Sequence, residues 1–354
     1  MELMVESSGG RGTRALNGSV EIPASKSHTI RAVVIGSLAG SSTSGNGSSE
    51  IINPLHSSDT LSAVHVCQHL GARIITSSNN WIVHGTGGRV ITPEDVLDVG
   101  NSGTTLYLTL AMATLGDGYS VFTGDSQTRA RSAQALIDSL NELGAHVFST
   151  RGDSCAPIVV RGRIKGGEVT IDGSKTSQYV SSLLISCPLA DNDTKIRVMN
   201  VTEKPYIQMT MNWLDEQGIE YSHDGMDYFH LKGGQGYRHF KKRMPGDFSS
   251  ATFFLCAGAI TDADITLIGL DMNDSQGDKA VVDMLSAMGA EISVTTDGIR
   301  VRNKQLYGAE FDLSATPDAL PAMAVAGCFA KGETRLVNVP QARLKETDRI
   351  SVMC

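Results

Sequence analysis

Several things are scarce in this chain, and each scarcity narrows what it can be. Aromatic residues make up only 5% of its 354 residues, so aliphatic and small side chains must build the core. Positive charge is in deficit, with a formal net charge of −8, which argues against general binding to nucleic acid or other polyanions. If an anionic ligand binds, its cations must be concentrated locally against a negative background. Apolar runs long enough to cross a bilayer are missing, and the N-terminus has no apolar signal core, so a soluble cytoplasmic protein is expected. Cys67, Cys155, Cys187, Cys256, Cys328 and Cys354 are widely dispersed. No pair has metal-ligand or redox-motif spacing, so free, mostly buried thiols in a reducing compartment are expected. His65 and His69 lie four apart but have no carboxylate at motif spacing, so no metal is expected there. No phosphate loop or dinucleotide fingerprint occurs. Trp81 and Trp213 read as packing residues.

What the chain has in abundance is glycine, 37 residues of it, and part of that glycine is periodic. Leu70-Gly71-Ala72, Leu143-Gly144-Ala145, Gln217-Gly218-Ile219 and Met288-Gly289-Ala290 each close a helix-like segment and precede a strand-like one. Their glycines follow one another at 73, 74 and 71 residues. Glycine after a helix supplies the left-handed C-cap, and a fixed period signals repeated structural units.

The segments before these glycines, 59–70, 132–143, 207–217 and 279–288, carry apolar residues three and four apart, as in Leu136, Leu140 and Leu143. A second helix recurs at 27–39, 102–115, 177–189, 248–260 and 319–330. It is apolar on nearly every face and rich in Ala, Ser and Gly, the mark of a buried, closely packed helix. One unit therefore reads as strand, buried helix, strand, amphipathic helix, then one or two strands. Three units fill roughly 19–238, a fourth runs over about 246–301, and a fifth begins near Phe311. The Lys241-Lys242-Arg243 and Pro245 break marks a domain boundary. The period places a further Leu-Gly-Ala after Cys354, so the fifth unit is expected to be incomplete, as in a fragment or a truncated member of its class.

Chemistry is expected at the starts of the buried helices. A helix start leaves backbone N–H groups unpaired and its dipole positive, which suits a phosphate or carboxylate. Ser25-Lys26-Ser27 with Arg31 is such a start with two cations. Gly100-Asn101-Ser102-Gly103-Thr104-Thr105 is another, and Ser174-Lys175-Thr176-Ser177-Gln178 a third. Any one Ser or Thr there could be a plain N-cap. Asp318, after Pro317, could be a cap or a general base at the mouth of a cationic cleft. The run Arg343-Leu344-Lys345-Glu346-Thr347-Asp348-Arg349 packs three cations and two carboxylates into what reads as the opening of the fifth unit's outer helix. Its cations would lower the pKa of Glu346 and burial would raise it.

These residues together resemble the 5-enolpyruvylshikimate-3-phosphate synthase family. The matching runs are Pro23-Ala24-Ser25-Lys26-Ser27 with Arg31, Asp98-Val99-Gly100-Asn101-Ser102-Gly103-Thr104-Thr105, Thr176-Ser177-Gln178-Tyr179, Lys204-Pro205-Tyr206-Ile207, Gly246-Asp247-Phe248-Ser249-Ser250-Ala251, Pro317-Asp318-Ala319, and 343–349. They occur in family order along the whole chain. The resemblance implies an α/β fold of two domains, the enolpyruvyl transferase-like fold of repeated βαβαββ-type units with buried helices, an inside-out α/β barrel. It implies domains of 22–240, complete with three repeats, and 1–21 plus 241–354, lacking about one repeat. It also implies transfer of the enolpyruvyl group from phosphoenolpyruvate to the 5-hydroxyl of shikimate 3-phosphate, with release of phosphate, no cofactor and no metal, by a monomer.

By the same resemblance Lys26, Ser27, Arg31, Thr176, Ser177, Tyr206 and Lys345 would hold shikimate 3-phosphate. Gly103, Arg129, Gln178 and Arg349 would hold phosphoenolpyruvate, with Lys26 shared between the ligands and counted among the catalytic residues. Asp318 would be the base toward the hydroxyl, and Glu346 would move the proton at the methylene carbon. Three positions depart from the family pattern. Tyr107 stands where an arginine is usual, Ser132 follows the Arg129/Arg131 pair where proline is usual, and Glu203 replaces a ligand-contacting serine or arginine. The cell-wall enolpyruvyl transferases of the same superfamily are disfavoured, because Lys26 is followed by serine rather than asparagine and no cysteine occurs between Asn101 and Arg131. A catalytically silent homologue or fragment that binds shikimate 3-phosphate or a partner chain is the alternative reading.

Overall fold

The computed structural model describes residues 16–40 and 47–354. Within them one order of elements recurs, strand–helix–strand–helix–strand–strand. The first unit is β1 (Leu16–Glu21), α1 (Lys26–Leu38), β2 (Ser49–Ile52), α2 (Ser58–His69), β3 (Arg73–Thr76) and β4 (Asn80–His84). The second is β5 (Leu97–Asp98), α3 (Gly103–Ala113), β6 (Tyr119–Thr123), α4 (Gln134–Glu142), β7 (His146–Ser149) and β8 (Ile158–Arg161). The third is β9 (Gly167–Asp172), α5 (Gln178–Ser186), β10 (Thr194–Met199), α6 (Lys204–Gln217), β11 (Tyr221–Asp224) and β12 (Tyr228–Leu231). The fourth is β13 (Lys241–Arg243), α7 (Phe248–Ile260), β14 (Ala263–Ile268), α8 (Ala280–Ala287), β15 (Glu291–Thr295) and β16 (Gly298–Arg302). The fifth has β17 (Glu310–Asp312), α9 (Leu320–Cys328), β18 (Arg335–Val337) and the short α10 (Arg349–Met353).

Units two and three each close their own four-stranded sheet, ordered β5-β6-β8-β7 and β11-β12-β10-β9. Units one and four exchange their first strands. β13 pairs in parallel with β2, with Lys242 opposite Ile51, and β1 pairs in parallel with β14, with Gly18 opposite Ile265. The exchange makes the chain cross twice, at residues 22–25 and 244–247. The two crossings brace each other, with Ser25 N–H donating to Pro245 O at 2.8 Å and Asp247 N–H to Pro23 O at 2.9 Å.

The glycines that set the period end α2, α4, α6 and α8 with positive φ: 111° at Gly71, 101° at Gly144, 69° at Gly218 and 103° at Gly289. An L side chain is disfavoured in that region, which is why the punctuation is so regular. The small residues of the inner helices have a different cause. A Cβ at Gly258 on α7 would stand 2.4 Å from Val301 Cγ1, so helix and sheet meet too closely for alanine. Every residue of α3 is buried, as are 28–38 of α1 and 179–186 of α5. These three helices pack together inside their sheets. Each buried Leu, Ile or Val contributes roughly 1.5–3 kcal/mol of apolar transfer.

Most buried apolar residues fall into one large cluster from Ala24 to Met244 and another built from Ile22 and residues 248–326, beside a small third group of Leu313, Leu320, Val339 and Ala342. We propose that the two larger clusters are the cores of two domains divided at the crossings. One detail of the expected boundary changes. The resemblance places Lys241–Arg243 in the second domain; as β13 these residues complete the sheet of unit one, so the crossing falls after Arg243. Residues 1–15 of the expected second domain lie outside the described residues. In that domain α7 and α9 pack together and leave Phe253, Phe254, Val325 and Phe329 exposed. No described helix is long and apolar enough to cross a membrane.

Candidate functional site

A cleft of about 540 Å³ lies between the two clusters, lined by the starts of α1, α3 and α5 and the approach to α9. The helix starts face it because the small residues around them allow other segments to come close. Ser25 caps α1 by accepting from His28 N–H at 3.5 Å, and Ser102 caps α3 by accepting from Thr105 N–H at 3.2 Å. Several of the expected cations gather here, and Arg31 and Arg129 do not. Lys26, Arg131, Lys175, Arg343, Lys345 and Arg349 all line the cleft, opposed by Asp59, Glu203, Asp318 and Glu346.

Ion pairs lace the cleft, within each side and across it. Lys26 Nζ stands 3.1 Å from Asp59 Oδ2. Burial alone would lower the lysine's pKa, but Asp59, Asp318 and Glu346 outweigh it and leave it raised. Lys345 Nζ bonds to Glu203 Oε1, a pair that is nearly sealed from solvent. Arg349 is a double anchor, with Nη1 2.5 Å from Asp318 Oδ1 and Nη2 2.8 Å from Glu346 Oε2. Tyr206 Oη reaches the other Asp318 oxygen at 3.3 Å. Burial pushes the Asp318 carboxyl up, yet the Arg349, Lys345 and Lys26 charges hold it well below the usual carboxylate range. Glu346 behaves likewise. Burial raises it, while the Arg349 hydrogen bond and the Arg349 and Arg131 charges bring it down to about 2.

Most of the expected site residues meet here: Lys26, Ser27, Gly103, Thr176, Ser177, Gln178, Tyr206, Asp318, Lys345, Glu346 and Arg349. Gln178 is aimed by a 2.9 Å hydrogen bond from its Nε2 to Thr104 Oγ1. Two arginines are elsewhere. Arg31 lies under the floor, 1% exposed, donating to Ser27 O, Thr210 Oγ1, Ser181 Oγ and Tyr206 O. Burial brings its pKa down to about 10, with Tyr206 opposing. Arg31 therefore ties α1 to α5 and α6 rather than lining the cleft.

Arg129 is a correction. It sits in a short 3₁₀ turn, Thr128–Ala130, which turns its Nη1 back onto Gly124 O, and it does not line the cleft. Arg131, two residues on, does. Its Nη2 stands 3.2 Å from Glu346 Oε1, out of line for a hydrogen bond, and its buried Nε and Nη2 have no hydrogen-bond partner. The sequence contained the signal. Asp59, Arg131 and Arg349 all stand at or just before the start of an outer helix, and all three reach the cleft. The charge run also differs from its expected form. Residues 343–348 are a turn and loop, and α10 begins only at Arg349, with Asp348 accepting from Ser351 N–H at 3.1 Å as its cap.

The departures from the family pattern find partners. Tyr107 is buried, packs edge-on against Tyr179 at 4.9 Å, and donates to Ser132 O at 3.3 Å, while Tyr179 donates to the same carbonyl at 2.5 Å. Two hydroxyls thus pin the residue next to Arg131. Glu203 turns its carboxylate onto the start of α5, accepting from Ser177 N–H at 3.2 Å and Ser177 Oγ at 3.0 Å. Sequence reading missed Asp278. Its Oδ2 accepts from Ser249 Oγ, its buried Oδ1 has no partner, and burial and then the Asp318 charge push its pKa up.

Chemically, the cleft can hold two anions side by side on cations and helix starts, with carboxylates placed among them to take and return protons. Residues 11–354 match the family model described as EPSP synthase (3-phosphoshikimate 1-carboxyvinyltransferase). A 3-phosphoshikimate 1-carboxyvinyltransferase of Ruminiclostridium cellulolyticum is 52% identical over 339 residues, covering 96% of this chain and 79% of that protein. One of Acetivibrio thermocellus is 54% identical over 338 residues, covering 96% and 78%. The crystal structure of EPSP synthase from Acinetobacter baumannii superposes with a TM-score of 0.79 at 26% identity, covering 96% of this chain and 77% of that one. The enolpyruvyl transferase NikO from Streptomyces tendae, at 18% identity and a TM-score of 0.69, shares the fold. The chain belongs to the EPSP synthase family.

Proposed function

We propose that this cleft transfers the enolpyruvyl group of phosphoenolpyruvate to the 5-hydroxyl of shikimate 3-phosphate and releases phosphate. The observation that carries the reading is the Arg349 guanidinium shared between Asp318 and Glu346. It holds a base for the hydroxyl and a proton carrier for the methylene within one ion cluster, on a cation suited to the phosphoenolpyruvate anion.

The reaction needs the hydroxyl to lose a proton and the enol carbon to become electrophilic as the methylene gains one. Asp318 takes the hydroxyl proton, and Glu346, protonated once substrate fills the site, gives its proton to the methylene as the 5-oxygen bonds to the enol carbon. Glu346 then takes a proton back from the new methyl group as the bond from that carbon to the phosphate oxygen breaks and phosphate leaves. With both carboxyls held low by Arg349, each is a weak base in the free protein. An anionic substrate on Arg349 shares that cation's field, so the two pKa values rise as the site fills. Lys26, Ser27, Thr176, Ser177, Tyr206 and Lys345 hold shikimate 3-phosphate, with Arg31 bracing the floor from below. Gly103, Arg131, Gln178 and Arg349 hold phosphoenolpyruvate, with Arg131 in the role the resemblance gives to Arg129. Holding both anions in register supplies much of the rate, because it makes the step effectively unimolecular.

The working unit in this reading is a single chain, and soluble phosphorylated substrates suit a cytoplasmic enzyme. Phosphate release with both substrates present tests the reading. Release that needs both substrates is expected, and its absence at millimolar concentrations would sink it.

A further inference from the structure

Glu203 occupies an anion seat inside the cleft. Three of the first four buried helices are capped by the side chain of the residue just before them: Ser25 for α1, Ser102 for α3 and Asp247 for α7. At the start of α5 Ser177 makes no such cap, although Thr176 Oγ1 accepts from Gln178 N–H at 3.2 Å. The other donors there turn to Glu203 Oε2, with Ser177 N–H at 3.2 Å, Ser177 Oγ at 3.0 Å and Thr176 Oγ1 at a long 3.5 Å. The other carboxylate oxygen takes Lys345 Nζ from the opposite wall. Glu203 is 3% exposed, and its backbone is left-handed at φ 50°, a conformation uncommon for a residue with a side chain. It precedes α6, whose start at Lys204 brings Tyr206 to the cleft.

We infer that Glu203 is a tethered competitor for the substrate's phosphate and sets the affinity of the site. The inference rests on the enzyme reading above. Two backbone or hydroxyl donors of Ser177, the Thr176 hydroxyl and the Lys345 ammonium form one seat, and those donors cannot serve a carboxylate and a phosphate fully at the same time. Binding is therefore an exchange, in which phosphate takes the donors and the Glu203 carboxylate leaves them. A phosphate has more oxygens and more charge than the carboxylate it replaces, so it can win the exchange, and a ligand lacking phosphate cannot. Glu203 is thus a specificity-determining residue. The exchange lowers affinity for the true substrate and keeps the seat closed to weaker anions.

Titration calorimetry on the full chain tests this with wild type, Glu203→Ser and Glu203→Gln, against shikimate 3-phosphate and against orthophosphate alone. Glu203→Ser is expected to bind shikimate 3-phosphate about tenfold more tightly, the scale of one charge-assisted hydrogen bond no longer contested. It is also expected to gain measurable orthophosphate binding. Glu203→Gln keeps the shape without the charge and should lie between wild type and Glu203→Ser, and it guards against a Ser variant that folds poorly. Equal or weaker binding by both folded variants would overturn the inference and make Glu203 a plain cap for α5. Orthophosphate binding gained by Glu203→Ser, with no shikimate 3-phosphate binding or phosphate release by any form, would uphold the exchange seat and overturn the substrate reading instead.

Discussion

Arg349 Nη1 lies 2.5 Å from Asp318 Oδ1, so the carboxylate assigned to receive the substrate's proton is already neutralised by the residue that begins the last helix. The two are held by packing as well as by charge. Ile350, next to Arg349, packs on the small cluster of Leu313, Leu320, Val339 and Ala342, and Leu320 is the first residue of α9. The pair therefore predicts a pH effect. The Arg349 cation holds the Asp318 pKa down, and a base works only above its pKa. Replacing Arg349 with Gln lets that pKa rise, so the acidic limb of kcat/KM should move to higher pH. The value at the optimum should fall on the order of a hundredfold, as for loss of one charge-stabilising donor. An unmoved limb would separate Arg349 from Asp318. Asp318→Asn should retain substrate binding and lose turnover.

The Arg129/Arg131 pair gives a second test. Arg131→Ala should raise KM for phosphoenolpyruvate tenfold or more, by about the strength of a charged hydrogen bond. Arg129→Ala, facing Gly124 O, should change it less than about twofold. Gly103→Ala belongs with Arg131. An added Cβ would stand 2.5 Å from Arg131 Nη1, the far end of a flexible side chain, so the arginine yields and the helix does not. The expected result is a raised KM for phosphoenolpyruvate with an unchanged melting temperature. Steady-state kinetics beside a thermal melt reads both.

The repeat was legible in sequence because its signals are local. A left-handed cap at Gly71 or Gly218 needs glycine whatever lies beyond it, and α3 shows its burial in its own composition. The strand exchange was not legible. Lys241-Lys242-Arg243 reads as a polar break, and only its neighbour β2 makes it a strand. The same limit explains the arginines. Arg129 and Arg131 have equal claims in sequence, and the turn at Thr128–Ala130 decides between them by rotating one away. The run 343–349 reads as a helix because its charges suit one, yet the cross-cleft hydrogen bond from Lys345 to Glu203 and the ion pair of Arg131 with Glu346 engage it as a loop until Arg349.

Arg31 predicts stability rather than affinity. Its guanidinium satisfies Thr210 Oγ1, Ser181 Oγ and two carbonyls in a site closed to water. Arg31→Met keeps much of the volume and leaves those groups without their donor. The expected loss is about 2–4 kcal/mol in urea unfolding, with a proportionally smaller effect on KM for either substrate. A stable variant with ruined shikimate 3-phosphate binding would instead make Arg31 a direct ligand.

Asp278 predicts a pH dependence of opposite sign to that of the cleft carboxylates. Its carboxyl is buried beside Ser249, with Oδ1 unpaired, and burial followed by the Asp318 charge raises its pKa in the folded protein. A carboxyl whose pKa is higher folded than unfolded favours folding in its protonated form. That contribution is complete below the ordinary carboxyl value and disappears as pH rises through the raised one. Glu346, held down to about 2, does the reverse, contributing above the ordinary value and losing its contribution as pH falls through the lowered one. Asp278→Asn removes the titration while keeping an acceptor for Ser249. The variant should therefore match wild type most closely below the ordinary carboxyl range, gain on it as pH rises from there to the raised value, and gain no more beyond it. Urea unfolding of both proteins across that range measures the difference, and two curves that stay parallel would show that Asp278 is already ionised in the fold.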